Sequence, residues 1–162
     1  MPTFDSLWTN YSSNKDVTRE ALYKELGWDS LINNPSYENT CAVRVHLAFI
    51  KAKTDLTGRI KILKGPYKGK FIEPGQAALS NLLAAKNALG APVKIRTEEL
   101  IKDSTPIWSK TGIISFMGIP GYNNGRGGHI DLLKTGRDVS GNFLCGSDCY
   151  WGSKEVWFWE VN

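Results

Sequence analysis

The chain has little of what most chemistry needs. Its 162 residues hold two histidines, three cysteines and two methionines. His46 and His129 are far apart, and Cys145 and Cys149 have no second Cys/His cluster to complete four ligands, so a zinc site is not formed by spacing. Charge of one sign is also scarce. The net charge is +4, and the most basic stretch, Lys61 to Lys70, is broken by Gly65, Pro66 and Gly69. That stretch reads as a solvated hairpin, which leaves no nucleic-acid arm. No apolar run is long enough for a membrane span. The opening "MPTFDSLWTNYSSNK" lacks a basic segment followed by an apolar one, so the expectation is a cytoplasmic protein or export without a Sec signal. "IPGYNNGRGG" is glycine-rich but has no GK[ST] and precedes a strand, which excludes a phosphate loop. There is no repeat, linker or low-complexity tract.

What is present reads as one domain over residues 1–162, with a 41% hydrophobic composition ample for a core. Asp16 is positioned to cap a helix that Gly27 stops, and "GQAALSNLLAAKNALGAP" reads as a helix ended by Gly90 and Pro92. Thr97 can cap a short helix over "TEELIKDS". "GRIKILKGPYKGKFIEPG" carries hairpin signals. After Pro106 the pattern shifts to short β-branched or aromatic segments between glycine turns, an antiparallel meander. Helices first and sheet last make the class α+β.

The segment "NTCAVRVHLAFIKA" places Cys41 in the first turn of a helix capped by Asn39 or Thr40. At 100° per residue, Cys41, Ala42, Val45, Ala48, Phe49 and Ala52 form one apolar face; Val43, Leu47 and Ile50 form another. Such a helix is expected between two layers. Arg44 with Lys51, and His46 with Lys53, mark polar edges. A thiolate at a helix N-terminus is stabilised by free N–H groups and the helix dipole. Cys41 is therefore either a nucleophile or a small buried hydrophobe. His46 lies about 140° round the helix and cannot serve the sulfur; it reads as a solvated edge residue. His129, opening the strand in "GRGGHIDLL", is the remaining base. Alternation sets His129, Asp131 and Leu133 on one face. A carboxylate must hold the other ring nitrogen, and Asp131 and Asp148 are both candidates, whereas Asp138 reads as a turn former. Cys145 and Cys149 are either reduced thiols or a small disulfide loop around Asp148. Trp157, Phe158 and Trp159 are core aromatics or, on a sharper reading, a carbohydrate platform.

The Cys41 helix, "GRGGHIDLL" and the tail "CGSDCYWGSKEVWFWEV" together resemble the family-four amidase effectors of type VI secretion, in the NlpC-like branch of papain-fold cysteine peptidases. The resemblance implies a papain-like α+β fold and cleavage of the D-glutamate–meso-diaminopimelate amide in peptidoglycan stem peptides. It maps the nucleophile to Cys41, the base to His129 and the acid to Asp148, and it implies a Cys145–Cys149 disulfide and no cofactor. It further implies export by the type VI secretion apparatus, action in the periplasm of target bacteria, and a cognate immunity protein as inhibitor. The Cys41 N–H is the expected oxyanion donor. A non-catalytic wall-binding module, or a thiol-dependent amidase or transferase acting elsewhere, is the alternative.

Overall fold

The computed structural model describes residues 1–162. Its elements run α1 (Phe4–Asn10), α2 (Arg19–Leu26), α3 (Cys41–Lys51), β1 (Ile60–Lys61), β2 (Phe71–Ile72), α4 (Gln76–Leu83), β3 (Val93–Arg96), α5 (Thr97–Lys102), β4 (Gly112–Met117), β5 (His129–Arg137), β6 (Phe143–Cys145) and β7 (Glu155–Glu160). β1 and β2 form the expected antiparallel hairpin. The remaining strands form one sheet in the order β3-β7-β4-β5-β6. This is the α+β arrangement the sequence implies, with two amendments. β4, β5 and β6 are a meander, but β7 returns to lie between β3 and β4. β3 is not among the strands expected from the sequence: "VKIR" alternates apolar and polar residues but is only four residues long and mostly exposed, and its backbone pairs with β7.

Helix α3 is sandwiched as its two apolar faces require. Cys41, Ala42, Val45, Ala48 and Phe49 enter a core with residues such as Leu79, Ile113, Ile130 and Leu132. Val43, Leu47 and Ile50 enter a second core with Leu22, Leu26, Ile62 and Ile72. Each large apolar side chain so buried contributes about 1.5–3 kcal/mol. Of the polar edges, Lys53 is exposed, but Arg44 and His46 are not. Arg44 is only 2% exposed and His46 is fully buried. The Glu73 N–H donates to His46 Nδ1 at 2.7 Å, so the ring's Nε2–H donates to the Leu56 carbonyl at 2.8 Å. Burial depresses the His46 pKa, and the ring is a neutral tie between α3 and the hairpin. Periodicity cannot see this, because it classes histidine by polarity and not by satisfied partners.

Several helix ends differ from those expected. Thr18, not Asp16, caps α2, and Gly27 stops it at φ 75°. α4 ends at Leu83, well short of Gly90. Thr97 begins α5 instead of capping it, because its hydroxyl is turned to Ser153. The far face of the sheet packs Ile114, Phe116, Leu133, Val156 and Phe158 against Leu100 of α5. β7 sends Trp159 to the helix side, where its indole N–H donates to the Gly90 carbonyl at 2.8 Å. Phe158 and Trp159 are thus core residues and not a platform. No helix is long and apolar enough to cross a membrane.

Candidate active site

Asn39 sets the start of α3. Its Oδ1 accepts the Cys41 N–H at 3.1 Å, and its Nδ2 donates to the Gly128 carbonyl at 3.1 Å. One side chain therefore ties the cysteine to the residue before His129. Thr40 does not cap; its hydroxyl accepts from Arg44 Nε. The Cys41 N–H, expected to stabilise an oxyanion, donates here to Asn39.

The glycines before His129 permit close packing. A Cβ at Gly128 would lie 2.4 Å from both Gln76 Oε1 and the Phe116 carbonyl oxygen. β5 can therefore begin at His129, whose ring stacks on Phe116 and lies 4.8 Å from the Tyr150 ring. Cys41 and His129, each 5% exposed, line one cleft of about 790 Å³. The spatial meeting that the sequence could only anticipate is present.

Asp131 completes the constellation. The His129 Nε2–H donates to Asp131 Oδ2 at 2.7 Å. That leaves Nδ1 without a protein hydrogen-bond partner, on a ring that lines the same cleft as Cys41. Asp131 is fully buried and accepts further N–H donors from Leu132, Ser147 and Asp148. Asp148 is displaced from this role: its carboxylate is exposed and accepts from Asn14 Nδ2 at 3.0 Å. The residue contributes its backbone N–H to Asp131, not its side chain to the ring. The assignment of the acid to Asp148 is corrected on that geometry. Strand alternation carries the reason, since residues two apart share a face. Asp138 accepts the Ser140 and Asn142 N–H groups in its turn, as expected.

Cys145 and Cys149 form the disulfide, and Cys41 is the free thiol. The bridge closes the loop that carries the Ser147 and Asp148 N–H donors, so it shapes the cradle of Asp131. Gly146 is the tight point of that loop. A Cβ there would meet Asp131 Oδ1 at 2.8 Å and the Tyr11 ring at 2.6 Å. Gly146→Ala is expected to cost about 1–3 kcal/mol of stability and to lower activity by displacing the carboxylate. Thermal melts and turnover of the same preparation check both effects.

Electrostatics follow from these contacts. Burial by itself would lower the His129 pKa, but the interactions with Asp131 and Cys41 outweigh it and push the value up to about 10. These contacts favour the protonated form of the ring. No group of three or more His, Cys, Asp or Glu gathers to hold a metal. Sequence reasoning took Asn39 only as a cap and Arg44 only as an edge residue. It passed over Tyr122 and Tyr150, whose hydroxyls meet at 3.0 Å beside the cleft. The only available signal was their position next to the cysteine pair and the glycine loop.

A helix-borne thiol and a strand-borne histidine backed by a carboxylate, lining one cleft on an α+β frame, are the pattern of the papain-like class of cysteine hydrolases. Residues 37–159 match the model of the family "Type VI secretion system (T6SS), amidase effector protein 4", or Tae4. The chain belongs to that family and is a peptidoglycan amidase effector. Among solved structures it is similar to the Tae4–Tai4 effector–immunity complex from Enterobacter cloacae, with 20% identity, TM-score 0.74, and coverage of 100% of this chain and 99% of that one. The Tae4–Tai4 complex from Salmonella Typhimurium is similar at 17% identity and TM-score 0.71, covering 100% and 99%. Free Tae4 from Enterobacter cloacae follows at 18% and 0.69, covering 100% and 98%. At these identities the likeness fixes the fold. No curated protein matches the chain in sequence.

Proposed function

We propose that Cys41 is the nucleophile, His129 the acid–base and Asp131 the residue that orients His129, and that the bond cut is the amide between D-glutamate and meso-diaminopimelate. The arrangement that carries this reading is His129 held between Cys41 and Asp131 in one cleft. The sulfur attacks the γ-carbonyl carbon, and the tetrahedral intermediate collapses as His129 gives its proton to the departing diaminopimelate nitrogen. Water then attacks the thioester; His129 takes its proton, and the D-glutamate γ-carboxylate leaves Cys41 free. Asp131 holds Nε2–H throughout, so Nδ1 is the nitrogen that moves protons.

Family membership supports export through the type VI secretion apparatus from the cytoplasm of the producing cell and action in the periplasm of target bacteria. The Tae4 neighbours are held by Tai4 immunity proteins, and a cognate immunity protein that blocks the cleft is the corresponding partner of this chain. The test is mass spectrometry of muropeptides from sacculi digested with the protein. The expected products end in D-glutamate on the glycan side and begin with diaminopimelate on the other. New ends elsewhere, or binding to sacculi with no new ends, overturn the assignment.

A further inference from the structure

The cleft contains one feature that the acyl-transfer chemistry does not use. Arg44 lies one turn along α3 from Cys41, is 2% exposed, and lines the cleft. It is the one lysine or arginine among the lining residues. Its Nε donates to Thr40 Oγ1 at 2.8 Å and its Nη1 to the Ser12 carbonyl at 2.9 Å. Nη2 has no protein partner, yet it is not sealed from solvent. No carboxylate forms an ion pair with it. Desolvation holds its pKa below the ordinary value, but a guanidinium stays charged. A cation buried this deeply without an anion is costly unless something supplies one. Two of its nitrogens are tied to the protein, so the third is fixed in direction before any ligand arrives.

We infer that Arg44 binds the free α-carboxylate of the D-glutamyl residue and thereby makes the enzyme prefer stems in which that carboxylate is not amidated. This rests on the amidase reading above. In a γ-linked D-glutamate, four carbon–carbon bonds separate the scissile carbonyl carbon from the α-carboxylate carbon, about 5 Å when extended. The Arg44 side chain runs back along α3 to Thr40, the residue before Cys41, so its guanidinium stands at the first turn that carries the sulfur. A carboxylate tethered about 5 Å from a carbonyl at that sulfur is placed on the same turn. A guanidinium favours a carboxylate over the neutral amide, which lacks the charge and offers one acceptor oxygen in place of two.

The experiment compares kcat/KM for three synthetic stem peptides: unmodified, amidated at the D-glutamyl α-carboxylate, and amidated on diaminopimelate. Wild type is expected to favour the unmodified peptide over the D-glutamyl amide by about 10- to 100-fold. Arg44→Gln should bring that ratio close to one, while the effect of diaminopimelate amidation stays as in wild type. Arg44→Lys, which keeps the charge but not the fork, should retain part of the preference. A variant that loses activity equally on all peptides and keeps the wild-type ratio overturns the inference, as does a wild type with no preference. A wild type that cleaves none of the peptides contradicts the amidase reading itself. Should neither Arg44 variant fold, calorimetric binding to Cys41→Ala decides: about tenfold weaker binding of the D-glutamyl amide supports the inference, and equal binding overturns it.

Discussion

Cys41→Ala is expected to lower amide hydrolysis by roughly four to six orders of magnitude while leaving the fold intact. The size follows from the role. No other side chain in the cleft can form the thioester, since Cys145 and Cys149 are bonded to each other and Cys41 is the one free thiol. Removing the nucleophile abolishes the covalent route and leaves only binding and any polarisation of the carbonyl. The structural cost is small, because alanine occupies the same helical position and is the best helix former. Cys41 contributes to a core shared with Ala42, Val45 and Ala48, so a loss of about 1 kcal/mol from the vacated sulfur is the upper expectation. Release of new amino groups from purified sacculi, set beside a thermal melt, separates the two effects. Normal hydrolysis by a folded Cys41→Ala protein would remove the nucleophile assignment.

Asp131→Asn is expected to reduce kcat/KM by about 10²- to 10⁴-fold, and Asp148→Asn to change it little. Both Asp131 oxygens accept hydrogen bonds: Oδ1 from the Leu132 N–H, Oδ2 from His129 and the Asp148 N–H, and both from the Ser147 N–H. An asparagine has one acceptor oxygen, and its amide would point donors at donors. The variant therefore either releases His129 or disrupts the loop that the disulfide closes. Asp148, by contrast, contacts only Asn14 through its carboxylate. The pH dependence moves in a defined direction. In the wild type His129 stays protonated until about pH 10, so proton delivery to the leaving amine fails as pH rises through that value. Without the Asp131 charge the imidazolium loses its partner, and the alkaline limb moves to lower pH. Stability follows the same sign. The folded pKa lies above the unfolded value of about 6.5, so the contribution is complete below that value and is lost as pH rises toward 10. Melting temperatures measured from pH 6 to pH 10 should fall more gently in the variant, because less remains to be lost.

Much of this architecture is legible in the residues because local periodicity and global packing agree. The two apolar faces of α3 correspond to two separate cores, and alternation along β5 places His129 beside Asp131. The resemblance to the amidase family pointed to Cys41 and His129, which line one cleft, and to the disulfide that Cys145 and Cys149 form, but it named Asp148 where Asp131 is the carboxylate on the ring. The Asp148 N–H donates to the Asp131 carboxylate, so both belong to the site. Alternation along β5 offers Asp131 to the ring, but that the Asp148 carboxylate turns away to Asn14 depends on how the disulfide loop folds back, which sequence spacing does not encode. Arg44 and His46 were illegible for a related reason. Their burial rests on particular acceptors, the Thr40 hydroxyl and Ser12 carbonyl for one and the Leu56 carbonyl for the other. Such partners come from distant segments, and a helical wheel shows only polarity. β3 was missed because its pairing with β7 is made by backbone groups that every residue carries.

The central claim is that His129 is charged and acts directly on the Cys41 sulfur. Alkylation of Cys41 by iodoacetamide at neutral pH, compared between wild type and His129→Ala, tests it without any assumption about substrate. An adjacent imidazolium favours the thiolate, which is the form that reacts. The account predicts wild-type alkylation faster by about tenfold or more, with mass spectrometry placing the label on Cys41. Equal rates in the two folded proteins would contradict it.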